Sequence, residues 1–263
     1  MSETIVFIHG MWGTGALWER YKGHFAERGY TCLTPTLRHH AADPRDTPDP
    51  ALGRTSLLDY AADLEAELRA LPRPPIVIGH SMGGLLAQML AARGLARAVI
   101  LLTPAAPAGI VAIRWSVLKS FRSGLLRWAF WRKPYRQTYD EAVYSMMQHL
   151  SEPERRAAYD KFVFESGRAA AEIGFWPFDP QRAARVDASR VTCPVLVVGA
   201  TDDRITPAGV VRKVWRKYRH VAEYKEFPGH AHWVLAEPGW QEIAQYCAEW
   251  LAAKAPAEQV GTT

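Results

Sequence analysis

The stretch that decides the fold is PIVIGHSMGGLLAQMLAA, residues 75–92. Its first four residues form an apolar run with β-branched side chains, which is typical of a strand buried on both faces. After Met82 the apolar residues recur at helical spacing. Residues 79–83, GHSMG, join the two patterns as a G-x-S-x-G motif on a strand-to-helix turn, the setting of a nucleophile elbow. The sequence therefore predicts a reactive Ser81 at the positive end of a helix.

Strand and helix patterns alternate on both sides of this motif. Apolar runs predict further strands at residues 4–8, 30–34, 98–102, 191–199 and 222–227. Helical patterns occur at residues 16–28, 55–71, 207–218 and 238–254. This alternation predicts an α/β fold with a doubly wound, mostly parallel sheet, whose ligands bind at the carboxyl ends of the strands.

The alternation stops between Ala105 and Arg185, where basic and aromatic segments of helical character follow one another. Further helical patterns are predicted there at residues 139–150 and 153–168. We therefore expect an inserted helical cap at residues 105–185, between two parts of the core at residues 1–104 and 186–263. Two interpretations of its composition stay open. Either the aromatic residues pack on the core while Arg and Lys reach water, or the cap is an amphipathic lid for a membrane surface or a lipid-like substrate.

Composition narrows the class of protein. The 263 residues are 48% hydrophobic and 22% charged, as in soluble globular proteins. The net charge of +5 favours an anionic partner, but no nucleic-acid-binding or phosphate-cradling motif occurs. No apolar stretch is long enough to span a bilayer, and a strand that begins by Thr4 leaves no room for a signal peptide. With Cys32, Cys193 and Cys247 expected as buried reduced thiols, we expect a cytoplasmic protein.

Two stretches of the sequence contain residue types that occur in metal or cofactor sites. The pair His39-His40 stands near Asp43 and Asp46, but adjacent histidines point in different directions on a loop, and no second ligand pair follows at helical spacing. The glycine-rich loop at residues 10–15 lacks the spacing of a dinucleotide site. We therefore expect neither a metal nor a cofactor.

Three chemical groups follow the ends of predicted strands: Ser81, an Asp at 202 or 203, and a His at 230 or 232. With its G-x-S-x-G turn and this order of Ser, Asp and His, the chain resembles the α/β-hydrolase superfamily, in which those residues form a catalytic triad. The resemblance covers essentially the whole chain, and residues 105–185 correspond to the variable cap of that family.

The resemblance also chooses between the neighbouring candidates. Family members place the acid four residues before a proline, as Asp203 stands, whereas Asp202 is expected to tighten the turn. They commonly place the base in a His-Trp or His-Phe pair ahead of Glu-Pro, which His232-Trp233 matches better than His230 does. The resemblance thus implies a catalytic triad of Ser81, Asp203 and His232.

The same family pattern implies an oxyanion hole made by the backbone N–H groups of Met82 and Met11, with Trp12 as a substitute for Met11. Trp12, His80 and Trp233 stand beside these groups in the sequence and are candidates for the lining of the substrate pocket.

A serine nucleophile argues against dehalogenase and epoxide hydrolase chemistry, which use a carboxylate in this superfamily. The resemblance therefore implies hydrolysis of a largely apolar carboxylic ester through an acyl-enzyme. Thioester, lactone or C–C bond hydrolysis and perhydrolysis by the same triad stay open, as does a noncatalytic fold that binds a hydrophobic ligand. We expect a small-molecule substrate, no nucleic acid and a possible weak membrane contact through the basic cap, and we leave the oligomeric state open.

Overall fold

Six parallel strands form the central sheet of the protein in a computed structural model, which describes residues 2–41 and 43–256. The first half of the core contains β1 (Thr4–Ile8), α1 (Glu19–Ala26), β2 (Thr31–Leu33), α2 (Leu57–Arg69), β3 (Ile76–His80), α3 (Met82–Ala91) and β4 (Ala98–Leu102). Between β4 and the next sheet strand lie α4 (Trp115–Ser120), α5 (Arg122–Leu125), β5 (Pro134–Tyr135), α6 (Tyr139–Ser145), α7 (Glu152–Tyr159), β6 (Glu165–Ser166) and α8 (Gly167–Gly174). The core then ends with β7 (Val195–Ala200), α9 (Ala208–Lys217), β8 (Ala222–Phe227) and α10 (Trp240–Lys254).

The strand order β2-β1-β3-β4-β7-β8 confirms the predicted doubly wound parallel sheet. The chain moves outward from β1 to β2, and then returns past β1 to build the rest of the sheet from β3. Ligands of such sheets bind where this direction reverses, at the carboxyl ends of the two strands concerned. Here those strands are β1 and β3, so the loop after β1 and the turn at Ser81 lie side by side.

The alternation of side chains along each strand divides the apolar core between the two faces of the sheet. In β1, Val6 and Ile8 pack with residues of α2, α3 and α9, whereas Ile5 and Phe7 pack with residues of α1 and α10. All five residues of β3 and of β4 are buried, as their continuous apolar sequences predict.

Residues 103–194, which we call the inserted segment, add no strand to the central sheet. The boundaries of the predicted cap at 105 and 185 stay a prediction. A helix predicted from Pro153 to Arg168 is wrong in its second half, because α7 ends at Tyr159. The chain there buries Phe162 and Val163 and then pairs β6 with β5 in a small antiparallel sheet.

Two buried glutamates attach the inserted segment to the core. Glu165 accepts hydrogen bonds from the hydroxyl of Tyr60 at 2.8 Å and from the backbone N–H of Ser166 at 2.6 Å, and it pairs with His40 at 3.1 Å. Glu172 accepts from the hydroxyl of Ser56 and from the N–H of the first residue of α2. Because α2 begins there, the inserted segment is fixed to the start of that helix.

Smaller expectations have mixed outcomes. The three cysteines are free, but only Cys247 is buried, whereas Cys32 and Cys193 are half-buried. The sequence also predicts a frayed tail after Pro256, and this tail lies outside the described residues. In residues 2–41 and 43–256, no helix combines the length and the apolar character needed to cross a bilayer.

Candidate active site

Ser81 lies on a strained turn between β3 and α3. Its backbone has φ 55° and ψ −120°, a conformation that costs free energy for a residue with a side chain. The turn is possible because its glycines let the backbone close on itself: a Cβ at Gly79 would lie 2.2 Å from the carbonyl oxygen of Gly83. A Cβ at Gly83 would lie 2.1 Å from the carbonyl oxygen of Ile8. The G-x-S-x-G spacing is thus a steric requirement of this fold.

The hydroxyl of Ser81 is left unpaired by this turn. Its backbone is held on both sides, since its N–H donates to the carbonyl of Leu102 at 3.1 Å and its carbonyl accepts from Ala105 at 2.8 Å. The side chain keeps 8% exposure, and its hydroxyl makes no hydrogen bond within the described residues. Such a serine is fixed in position while its oxygen stays available to a base or a substrate.

His232 and Asp203 form a buried hydrogen-bonded pair. Nδ1 of His232 lies 2.7 Å from Oδ2 of Asp203, and both side chains are almost completely buried. The other oxygen of Asp203 accepts the backbone N–H groups of Ile205 at 2.8 Å and Thr206 at 2.7 Å. The sequence-predicted acid and base are therefore in contact, although their catalytic roles stay a prediction.

The environment of Asp203 favours its charged form. Burial acts to raise the pKa of this carboxyl, but His232 and the hydrogen bonds from Thr206 outweigh burial and leave the pKa below its ordinary value. The hydroxyl of Thr206 lies 2.7 Å from Oδ2 of Asp203 and also 3.3 Å from Nδ1 of His232. Because Nδ1 of His232 is bound to a carboxylate, it carries the proton, and Nε2 is left as the basic nitrogen.

The alternative residues of each pair have other partners. Asp202 is exposed and pairs with His149 of the inserted segment at 3.1 Å, with a further hydrogen bond from Thr201. His230 pairs with Glu237 at 2.9 Å through Nδ1. Neither contacts the Asp203–His232 pair through a side-chain hydrogen bond.

The two predicted oxyanion donors, Met82 and Met11, lie on neighbouring turns. Met82 is the first residue of α3, so its N–H is one of the groups that a helix leaves without an internal partner. The N–H of Met11 donates no hydrogen bond within the described residues. The two loops are in close contact, because a Cβ at Gly10 would lie 2.9 Å from Cβ of Ser81. The role of these two N–H groups as oxyanion donors stays a prediction.

The loop that carries Met11 is held from two directions. Nε2 of His9 accepts the N–H of Leu37 at 3.1 Å, so the ring proton is on Nδ1, which donates to the carbonyl of Gly10. Burial, together with neighbouring His40, holds the pKa of His9 at about 3, and the ring is neutral. On the other side, the carbonyl of Trp12, a residue with φ 61°, accepts the N–H of Val163 from the inserted segment.

His80, predicted to line the substrate pocket, lies against the candidate base. Its Nε2 donates to the carbonyl oxygen of His232 at 2.9 Å, and the two ring centroids are 4.8 Å apart. Burial and the neighbouring His232 hold the pKa of His80 at about 3, so the ring is neutral. The contact ties the residue before Ser81 to the loop that carries His232.

Trp12 and Trp233, the other two predicted pocket residues, belong to one apolar cluster with the inserted segment. The ring of Trp12 lies 5.6 Å from Phe121 and 5.8 Å from Tyr135, and the ring of Trp233 lies 5.6 Å from Phe162. Both indoles are buried and help to join the inserted segment to the core. Whether they also touch a substrate stays a prediction.

The loop histidines have partners other than a metal. His39 pairs with Asp49 at 2.9 Å, and His40 pairs with Glu165. An open cleft of about 770 Å³ lies beside His40, between residues 43–45 and 160–163, and its lining includes neither Ser81 nor Asp203 nor His232. The cleft is therefore separate from the candidate catalytic residues.

Sequence reasoning missed Thr206 and the orienting contact of His80. Thr206 supplies both its N–H and its hydroxyl to Asp203. An Asp followed three residues later by a Thr is a local signal for such a turn, because short polar side chains bind nearby backbone groups. The contact of His80 spans 152 residues along the chain and has no local signal.

Comparisons with known proteins agree with the fold. The model of the alpha/beta hydrolase family matches residues 5–245. Among solved structures, a pyrethroid hydrolase from Sphingobium faniae JZ-2 is similar with a TM-score of 0.73 at 19% identity, over 98% of this chain and all of that one. A methylesterase from Arabidopsis is similar with a TM-score of 0.71 at 11% identity, over 95% of this chain and 99% of that one. A monoacylglycerol lipase from Paleococcus ferrophilus is similar with a TM-score of 0.69 at 21% identity, over 96% of this chain and 95% of that one. These likenesses confirm the predicted fold.

Proposed function

Because this chain belongs to the alpha/beta hydrolase family, we propose that it is a serine hydrolase that cleaves a carboxylic ester through an acyl-enzyme. The observation that carries the proposal is the 2.7 Å contact between Nδ1 of His232 and Oδ2 of Asp203, beside the strained turn that presents Ser81. A histidine held in this tautomer can accept the serine proton through Nε2.

The reaction proceeds in two balanced halves. Oγ of Ser81 bonds to the ester carbonyl carbon while its proton passes to Nε2 of His232. The C–O bond to the alcohol then breaks, and the alcohol leaves with that proton. In the second half a water molecule attacks the acyl-enzyme, His232 again moves the proton, and the free acid and Ser81 are released. Asp203 remains ionised throughout and stabilises the imidazolium form of His232.

Charge that develops on the substrate oxygen needs donors that are already in place. The unpaired N–H groups of Met11 and Met82 meet this need, because neither has to break a bond within the described residues to serve the oxyanion. Met82 also lies at the positive end of α3, which favours negative charge there. Both features support acyl transfer.

An apolar substrate is favoured by the surroundings. Met11 packs, partly buried, against the apolar cluster that contains Met82 and also against the one that contains Trp12 and Trp233. The names of the similar structures, a pyrethroid hydrolase, a methylesterase and a monoacylglycerol lipase, agree with ester hydrolysis. We therefore assign the protein a largely apolar ester of small to medium size.

The test is hydrolysis of p-nitrophenyl esters of increasing acyl length by the wild type and by Ser81→Ala. We expect the variant to lose roughly 10³-fold or more in kcat/KM while its melting temperature stays close to that of the wild type. The acyl length with the highest kcat/KM then measures the depth of the acyl site.

A fluorophosphonate probe provides the second readout, because it bonds to an activated serine whatever the substrate is. If Ser81 is labelled but no p-nitrophenyl ester is cleaved, a thioester and lactone series tests the same triad. An unlabelled Ser81 together with no turnover contradicts the proposal and favours a noncatalytic ligand-binding protein.

A further inference from the structure

The inserted segment exposes an unusual number of large apolar side chains. Of the eleven that the described residues leave exposed, nine belong to this segment. Five aromatic residues form what we call the aromatic patch: Trp128, Phe130, Trp131, Phe175 and Phe178. Ring centroids are 6.2 Å apart for Trp128 and Trp131, 5.7 Å for Trp131 and Phe130, and 6.0 Å for Phe130 and Phe175. The expectation that these aromatic side chains pack on the core is wrong for Trp128 and Phe178, which are both 85% exposed.

The aromatic patch stands on a backbone that is firmly packed. A Cβ at Gly167 would lie 1.9 Å from the carbonyl oxygen of Phe130, and a Cβ at Gly53 would lie 2.6 Å from the backbone of Lys133. Hydrogen bonds from Phe130 to Arg127 and from Lys133 to Phe130 close the turns between them. The backbone of Phe130 and Lys133 is therefore held in place by the fold, so that little backbone conformational entropy is lost there on binding.

In the sequence around Trp128, Phe130 and Trp131, the charged residues have one sign. Residues 105–139 contain seven Arg or Lys and no Asp or Glu. Arg132 and Lys133, inside the patch, make no ion pair within the described residues. The acid nearest in sequence is Asp179, whose carboxylate accepts the backbone N–H groups of Gln181 and Ala183. The patch thus combines exposed aromatic rings with unpaired positive charge.

Exposure of such a surface to water is energetically unfavourable, and exposed apolar patches of this kind mark sites of interaction. A second copy of this chain fits badly, because a symmetric contact would bring Arg132 and Lys133 against their own copies. The surface of an anionic bilayer fits well, because Trp and Phe settle at the headgroup level while Arg and Lys bind lipid phosphates.

We infer that the aromatic patch docks this protein on membranes that contain anionic lipid. Trp128 and Phe178 enter the interfacial region, and Arg132 and Lys133 contact the headgroups. The docking does not depend on the proposed reaction, because the patch contains none of Ser81, Asp203 and His232. A failure of one proposal therefore leaves the other standing.

The test measures co-sedimentation with vesicles of phosphatidylcholine, alone or mixed with phosphatidylglycerol. Two double variants address the patch: Trp128→Ala with Phe178→Ala, and Arg132→Gln with Lys133→Gln. Matched controls remove exposed apolar or basic side chains that lie outside the inserted segment: Leu33→Ala with Leu58→Ala, and Lys22→Gln with Lys213→Gln. Melting temperatures show that each variant is folded, and light scattering reports the oligomeric state.

We expect the wild type to bind the anionic vesicles, to bind the neutral ones weakly, and to lose binding as salt is raised. Each patch variant should weaken the partition coefficient by about tenfold or more, and the controls should keep it. The inference is overturned if the wild type stays in the supernatant with anionic vesicles, or if the controls lose as much binding as the patch variants. A dimer that the aromatic double variant abolishes, without any vesicle binding, would assign the patch to a second copy instead.

Discussion

Asp202 and Asp203 are adjacent in the sequence but contact different histidines. Asp203 is buried and holds Nδ1 of His232, whereas Asp202 is exposed and pairs with His149 of the inserted segment. Of the two carboxylates, only the buried and hydrogen-bonded Asp203 can orient a histidine as a base, whereas Asp202 forms an exposed ion pair.

Asp203→Asn should lower kcat/KM for the best ester by roughly 10³- to 10⁴-fold. The new amide oxygen can keep the N–H groups of Ile205 and Thr206, so that the NH₂ group points at Nδ1 of His232. A donor there forces the imidazole proton to Nε2, where the base must be free. Steady-state kinetics on purified protein measure the effect.

The control for this variant is Asp202→Asn, which removes an exposed pair and should change kcat/KM by less than about threefold, because exposed ion pairs contribute about 0–1 kcal/mol. Equal losses in the two variants would contradict the assignment of the acid to Asp203.

At this scale, motifs of the family that the sequence resembles predicted the contact between Asp203 and His232. The choice of Asp203 and His232 rested on motifs of a few residues, and the structure brings these two side chains together. The partner of Asp202 had no such pattern. His149 stands 53 residues earlier, and its position depends on the path of the whole inserted segment.

Among the elements, the turn from β3 to α3 tolerates the least change. Gly83 lies against the carbonyl oxygens of Ile8 and His9, so β1, β3 and α3 meet at one point without any side chain between them. This contact is what brings the loop after β1 next to Ser81.

Gly83→Ala should destabilise the protein by about 3 kcal/mol or more, because its Cβ would lie 2.1 Å from one backbone oxygen and 2.5 Å from the other. Gly23→Ala is the matched control, since Gly23 is exposed in α1 with no atom within 4 Å of an added Cβ. That control should stabilise the protein by roughly 0.5–1 kcal/mol. Urea unfolding measures both, and an unchanged free energy of unfolding for Gly83→Ala would refute the steric argument.

The strands were predicted better than the inserted helices. The bounds of β1, β4 and β8 agree with the sequence prediction, because continuous or alternating apolar residues end at clear turn signals. The helix predicted through residue 168 fails where Glu165 turns in to meet His40. That contact spans 125 residues, so a tertiary pairing overrode the local helical pattern.

For the molecule as a whole, the pair of His40 and Glu165 joins the inserted segment to the loop after β2. Although burial acts to lower the pKa of His40, the charge of Glu165 raises it above 6.5. Burial acts to raise the pKa of Glu165, but the pairing with His40 leaves it below its ordinary value. The hydroxyl of Tyr60 and the ring of His9 complete the surroundings.

The free energy of unfolding should depend on pH through this pair. The raised pKa of His40 gives stability that is complete below pH 6.5 and is lost as the pH rises through the raised value. The lowered pKa of Glu165 gives stability that is present above pH 4.5 and is lost as the pH falls through the lowered value. The contribution of the pair is therefore largest between these two ordinary values.

His40→Asn should flatten this dependence, and thermal unfolding across the pH range measures it. His39→Asn is the control, because His39 forms an exposed pair with Asp49 and its φ of 65° suits Asn. If the free energy of unfolding of both variants changes with pH above 6.5 as it does in the wild type, the His40–Glu165 pair is not the cause of this dependence.

The architecture of the whole molecule was predictable as far as it depends on alternation. Alternating strands and helices predict a parallel sheet and the edge at which ligands bind. The arrangement of the inserted segment was not predictable, because its composition fits both packed and exposed aromatic residues. The arrangement depends on contacts between residues distant in the sequence, such as that of Glu172 with the start of α2. No local pattern encodes these contacts.

If the protein is the serine hydrolase proposed above, the hydrogen bond from Val163 to the carbonyl of Trp12 would couple the position of the inserted segment to catalysis. Met11, whose N–H is the proposed donor to the oxyanion, is the residue before Trp12. A movement of the segment that admits an ester or releases an acid would also move this loop. The N–H of Met11 would then no longer point at the oxyanion. Bond cleavage and product release would then require different positions of the segment and could not occur at the same time. The rate at which the hydrogen bond from Val163 to Trp12 re-forms would set an upper limit on kcat.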